Sequence, residues 1–166
     1  MFRRLFQTNY DKVLTFQRIL LGLVFFPHGA QKMLGWFGGF GFKGTMNFFT
    51  QHEHIPYIFA LLAILAEFLG SLGLITGFLT RIAAFGIACN MIVAILMSHA
   101  QNGFFMNWMG NQKGEGYEYH LLALTLLISV IIRGAGAFSV DRKISEEDGP
   151  SGMVLEKNDR RLRPAA

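Results

Sequence analysis

The chain has 166 residues, a length that suits one domain. Apolar residues make up 52% and charged residues only 16%, where a soluble domain carries about a quarter charged, so an ordinary water-soluble fold is excluded. The net charge is +4, but the basic residues crowd the two ends, which argues against nucleic acid as a partner, and the lone Cys89 excludes an internal disulfide, a CxxC pair or a thiolate metal cage.

Residues 1–13 form a short basic segment with Arg3, Arg4 and Lys12. A long apolar stretch follows from Leu14 to Leu34. It contains Arg18, exceeds the length of a secretory h-region and lacks a small-x-small cleavage site, so it is read as a retained span. Arg18 is expected to snorkel to the headgroups. From Gly41 to Ile55, Met46, Phe48 and Phe49 alternate with polar residues, the pattern of a short helix lying in the membrane interface.

The second span runs from Pro56 to Gly77 and carries Glu67. Its Ala66, Gly70, Gly73 and Gly77 give it small residues for close helix packing, with a dimer face as the alternative. After the tight Gly77–Arg81 turn, the third span runs from Thr80 to Gln101. Asn90 near its middle is expected to bond across helices, and Cys89 to be a small buried hydrophobe. The fourth span runs from Tyr117 to Gly134. At about 1.5 Å per residue each span reaches roughly 27–33 Å, close to a hydrocarbon core. Backbone amides in lipid must be satisfied internally, so all four are helices.

The fold expected is therefore an all-α membrane protein, a four-helix transmembrane bundle over residues 14–141. A short interfacial segment follows the first span, and residues 142–166 form a polar, disordered tail. Arg3, Arg4, Lys12, Arg81, Arg133, Arg142 and Lys143 gather on one side. The positive-inside rule then sets both termini in the cytoplasm, in an inner (cytoplasmic) membrane. Trp36, Phe37, Phe104, Phe105 and Trp108 gather at the outer interface.

The two halves also resemble each other. The first span ends in His28 and Gln31 and leads to Trp36, as the third ends in His99 and Gln101 and leads to Trp108, and Glu67 stands to Arg81 as Glu118 does to Arg133. This suggests a parallel repeat about the membrane normal. If both arginines mark the inner surface, both glutamates lie roughly 21–23 Å above them. His28, Glu67, His99 and Glu118 would then converge below the outer surface, joined by Gln31 and His120. An ionisable group in a span costs about 2.5–3.5 kcal/mol, so it is usually paired or faces a cavity. One reading is a cavity, open to the outside, that carries protons or binds a ligand; the other is interhelical hydrogen bonding that fixes the bundle. For Glu118 and His120, at a helix end, the structural reading comes first. A haem held by two histidines of the first and third spans, or a metal held by a His and Glu set, rank below both, because no diagnostic spacing such as HExxH supports them.

Several motifs resemble the DoxX family of small bacterial membrane proteins: Arg18 with Leu21-Gly22; Pro27-His28-Gly29-Ala30-Gln31-Lys32; Gly35-Trp36; Glu67-Phe68-Leu69-Gly70; Leu79-Thr80-Arg81; Asn102-Gly103-Phe104-Phe105; Gly116-Tyr117-Glu118-Tyr119; and Phe138-Ser139-Val140-Asp141. The resemblance covers about Phe16–Asp141. It implies a four-helix membrane protein and a link to membrane redox systems, including a thiosulfate:quinone oxidoreductase and complexes that handle oxidative and thiol stress. Distant relatives work with cysteine pairs, which this chain lacks, and His120 stands where the family usually has proline. The first functional expectation is a subunit or partner of a redox system, binding a quinone and receiving electrons from a partner protein. The alternatives are a non-catalytic scaffold or assembly factor, and a small-solute or proton carrier. Each is compatible with a homo-oligomer.

Overall fold

The computed structural model describes residues 3–147. Among them the secondary structure is entirely helical. A single turn, α1 (Arg3–Phe6), precedes the long α2 (Lys12–Leu34). A 3₁₀ turn at Trp36–Gly38 leads to α3 (Gly41–Asn47), which runs into a π-helical turn at Phe48–His52. Then come α4 (Tyr57–Thr76) and α5 (Thr80–Ala94), the latter prolonged by a π-helical turn at Ile95–His99 and a 3₁₀ turn to Asn102. After an irregular loop, α6 (Glu118–Arg133) and α7 (Val140–Glu147) complete the described chain.

Three helical stretches are long and apolar enough to cross a bilayer: Lys12–Leu34, Tyr57–Thr76 and Thr80–Asn102. At 16 residues α6 is shorter, rising about 24 Å. Helix ends follow local chemistry. The Asp11 carboxylate accepts from Leu14 N at 3.0 Å and starts α2. Gly35 stops it in the left-handed region, φ 76°. Gly77 ends α4 likewise, donating to Gly73 O at 2.8 Å. Gly77 thus ends the helix and also packs closely, a Cβ there running into Ser139 Cβ, while Gly73 packs against Phe78 O and Ala83.

The helices pack in sequence, α2 on α4, α4 on α5 and α5 on α6. Gly22 and Gly29, two turns apart, bring the α2 backbone against α4: a Cβ at Gly29 would lie 2.6 Å from Phe68 Cα, and one at Gly22 2.9 Å from Ser71 O. The main core joins Leu21 and Phe25 of α2, Leu74 of α4, Ile87 and Met91 of α5, and Leu127 and Val130 of α6. A smaller core sets Met46 of α3 against Ala60 and Ile64 of α4. The segment expected in the interface is thus helical, and one side of it is buried. Asn90 donates across helices to Ala63 O at 2.8 Å, as expected.

Two expectations fail. Cys89 is exposed, because α5 buries the face of Ala84, Ile87, Ala88 and Met91 and Cys89 lies beside that face. Arg18 does not snorkel; it is 0% exposed. Its guanidinium donates to the carbonyls of Leu74, of Ile75 (2.9 Å), of Ala135 (2.8 Å) and of Phe138 (2.6 Å). Beside it the Asp141 carboxylate accepts from Leu79 N (2.7 Å) and Thr80 N (2.9 Å), capping α5 from the far end of the chain. Thr15 accepts from Ala137 N at 2.7 Å, and Asp11 pairs with Arg133 at 3.1 Å. The start of α2, the ends of α4 and α6, the start of α5 and the 134–139 linker are tied together at this end.

The outer face of the helices is greasy. Phe16, Phe59, Phe85, Leu96, Leu122 and Ile132 are all well exposed. Apolar surface on this scale belongs in contact with lipid, so the protein is an integral membrane protein. Of the expected disordered tail, residues 142–147 continue α7; the remainder lies outside the described residues.

Candidate functional site

The close approach of α2 and α4 at Gly29 positions the first cluster. Gly29 sits level with Glu67 and Phe68. Lys32 comes three residues later, and helical side chains lean back towards the N-terminus. Its ammonium therefore reaches Glu67 Oε2 at 2.8 Å, with side-chain exposures of 29% for Lys32 and 8% for Glu67. The carboxylate is buried and the ammonium partly so, and the pair ties α2 to α4.

The second cluster joins α5 to α6. The π-helical turn at Ile95–His99 presents His99 to His120, with ring centroids 4.2 Å apart. Such turns often occur at functional sites, because the extra residue re-aims a side chain. His99 Nδ1 lies 2.9 Å from Glu115 O. His120 is only 7% exposed, and its Nδ1 is buried with no hydrogen-bond partner among the described residues. Tyr119 packs edge-on to His120 at 5.5 Å.

The remaining candidates have other roles. Glu118 accepts from Met106 N (3.1 Å) and Trp108 Nε1 (3.3 Å), bracing the loop before α6. Gln31 donates to Phe37 O at 3.2 Å and steadies the turn after α2. His28 is exposed. It precedes Gly29 by one residue, about 100° around the helix, so it shares the level of Glu67 but not its face. His28 and Glu118 therefore stand apart from both the Lys32–Glu67 pair and the cluster of His99, Tyr119 and His120. Sequence alone places Lys32 at the membrane edge and Tyr119 within a motif; the register that seats Lys32 on Glu67 comes from Gly29, which local sequence does not reveal.

The expected repeat does not extend to the roles of its polar residues. Glu67 pairs with Lys32, whereas Glu118 binds loop backbone. Arg81 donates to the carbonyls of Ile131, of Ile132 (2.8 Å) and of Gln7 (3.0 Å), whereas Arg133 pairs with Asp11. For a haem held from both sides, His28 faces away and the ring of His99 already packs on His120. Among the described residues no group of three or more His, Cys, Asp or Glu is placed to hold a metal ion.

No curated protein and no solved structure matches the chain. The DoxX family model matches residues 13–100, a stretch that contains Arg18, Gly22, Gly29, Lys32, Glu67 and His99 and stops before Tyr119, His120 and Asp141. With more than half of its length matched and lipid-facing helices built around those residues, the chain belongs to the DoxX family.

Proposed function

We propose that the chain crosses the inner membrane four times with both termini in the cytoplasm, α6 being the fourth span. We propose further that it serves as a subunit or partner of a membrane redox system. Its site is an outward-facing polar cavity bounded by Lys32, Glu67, His99, Tyr119 and His120, taking a quinone or a similar apolar ring that bears oxygen. The observation that carries this reading is the buried Glu67 carboxylate held by Lys32, together with a buried His120 Nδ1 that has no hydrogen-bond partner among the described residues. A buried ring nitrogen without a partner is costly unless something bonds it, and a ligand oxygen meets that need. A bound quinone would supply two-electron, two-proton chemistry, with the electrons arriving from a partner protein. The chain itself would offer the ligand hydrogen bonds from the Lys32 ammonium and from the rings of His99 and His120.

The scaffold or assembly reading draws on the loop before α6. Glu115 and Glu118 hold its backbone, and its tip presents Trp108 and Met109 at 84% and 86% exposure. The carrier reading loses support. The charged side chain it would need at the inner end, Arg18, is consumed by backbone carbonyls.

Titrating a soluble quinone analogue into the purified full chain tests the first reading. Glu67→Gln should weaken binding about 10- to 100-fold, the worth of a hydrogen bond to a charged group. Unfolding temperature should stay within a few degrees of wild type, since Gln keeps the shape. Equal affinity for the two proteins, or no binding by wild type, would overturn the site and leave the scaffold reading.

A further inference from the structure

At the opposite end of the molecule, a groove of about 430 Å³ lies between the last turn of α4, the 137–139 linker and α7. That volume falls in the range of small-molecule sites, roughly 300–1,000 Å³. Its apolar side is Ala137, Phe138 and Val140; its polar side is Arg142, Lys143 and Glu146. Phe138 is two-thirds exposed and Val140 more than one-third, so a lipid-facing edge runs straight into a basic one. The charges are unequal. Glu146 is taken up by Arg142 Nε at 2.6 Å. Arg142 is held in place over the Tyr10 ring, 4.5 Å from its centroid. Its Nη1 is buried with no hydrogen-bond partner, and no ion pair among the described residues engages Lys143.

We infer that this groove binds the headgroup of an anionic phospholipid. The phosphate sits between Arg142 Nη1 and the Lys143 ammonium, and the glycerol and first acyl carbons lie along Phe138 and Val140. A pre-positioned guanidinium with a free N–H and a nearby ammonium suit a phosphate, and the adjoining apolar edge suits the glycerol and acyl carbons that a lipid attaches to it. The inference rests on the membrane reading only in requiring that this end of the helices meets a bilayer surface.

The test uses the full chain in nanodiscs and native mass spectrometry. Phosphatidylglycerol and phosphatidylcholine compete for retention on the released protein. Each basic residue near an anionic surface is worth about fivefold. Wild type should therefore retain one phosphatidylglycerol at least ~10-fold over phosphatidylcholine, and Arg142→Gln/Lys143→Gln should lose about 25-fold. Lys143→Gln alone, an exposed change that spares the Tyr10 contact, should lose about fivefold with unchanged unfolding temperature. Lys12→Gln, a basic change at the same end outside the groove, should have little effect. Equal retention of the two lipids, equal losses from Lys12→Gln and Lys143→Gln, or displacement of the lipid by millimolar inorganic phosphate would each overturn the proposal. Nanodiscs expose both leaflets, so the result does not depend on orientation. A reporter fused after residue 147 reads the side separately, and an outer location would fail the orientation reading while leaving the lipid site intact.

Discussion

Replacing Arg18 by alanine is expected to lower the unfolding temperature of the detergent-purified protein by about 10 °C, a larger drop than Gly29→Ala or Glu67→Gln should give. Arg18 is fully buried and bonds carbonyls from two places: Leu74 and Ile75 at the end of α4, and Ala135 and Phe138 in the linker after α6. Without the guanidinium these four acceptors lose their donor, and the buried Asp141 carboxylate loses the nearest compensating charge. Removing one side of a buried charged network typically costs about 3–5 kcal/mol. In a chain of this size each kcal/mol is worth roughly 2–4 °C. Arg18→Lys should fall between alanine and wild type, because an ammonium keeps the charge but not the planar fork of donors. Thermal unfolding of the three proteins side by side decides it. An alanine variant that melts with wild type would show that the Arg18 network is not what holds α4 to the linker.

The second large effect is expected at Gly29. An alanine methyl there would lie 2.6 Å from Phe68 Cα and 2.8 Å from both Phe68 N and Glu67 O. These are backbone atoms of α4 and cannot swing aside, so α2 and α4 must part. Overpacking of this kind costs about 1–3 kcal/mol. Separation at this level also moves Lys32 away from Glu67, so Gly29→Ala should lose stability and quinone affinity together, whereas Glu67→Gln loses affinity alone. Gly70→Ala is the control. Its Cβ would meet the side chain of Ile87 and Ala83 O at 3.2–3.3 Å, contacts that a shift of a few tenths of an ångström relieves. Similar unfolding temperatures for the two alanine variants would mean that the α2–α4 approach is softer than its geometry indicates.

The helices were legible because hydropathy and helix-end chemistry are local. Leu34, Gly77 and Gly134 end their expected stretches within a residue of the observed helix ends, at Leu34, Thr76 and Arg133. The level of the polar residues was partly legible too, since rise per residue is fixed. Their facing was not. His28 and Gly29 are neighbours in sequence, yet one is exposed and the other buried against α4. Arg18 looked like a snorkelling residue because a lone arginine in an apolar stretch ordinarily reaches for the headgroups. Its acceptors lie 56 to 120 residues away. Asp141 was visible only as part of a family motif, and the helix it caps begins 61 residues earlier. The π-helical turn that aims His99 at His120 shifts the backbone pairing by one residue, and a reading based on regular α-helical rise and rotation does not include that shift.

Together the two ends divide the labour. One end is locked by Arg18, Asp141 and Thr15, whereas the other carries the Lys32–Glu67 ion pair and a buried ring nitrogen without a partner among the described residues. A protein built only as a scaffold gains nothing from such an expense in the membrane, where each unsatisfied or charged group weakens the fold. Native mass spectrometry of the protein extracted gently from its own membrane tests this most directly. The account predicts a chain carrying one added mass that matches a quinone, lost in Glu67→Gln. A chain that emerges bare, or with phospholipid or another protein alone, would contradict it.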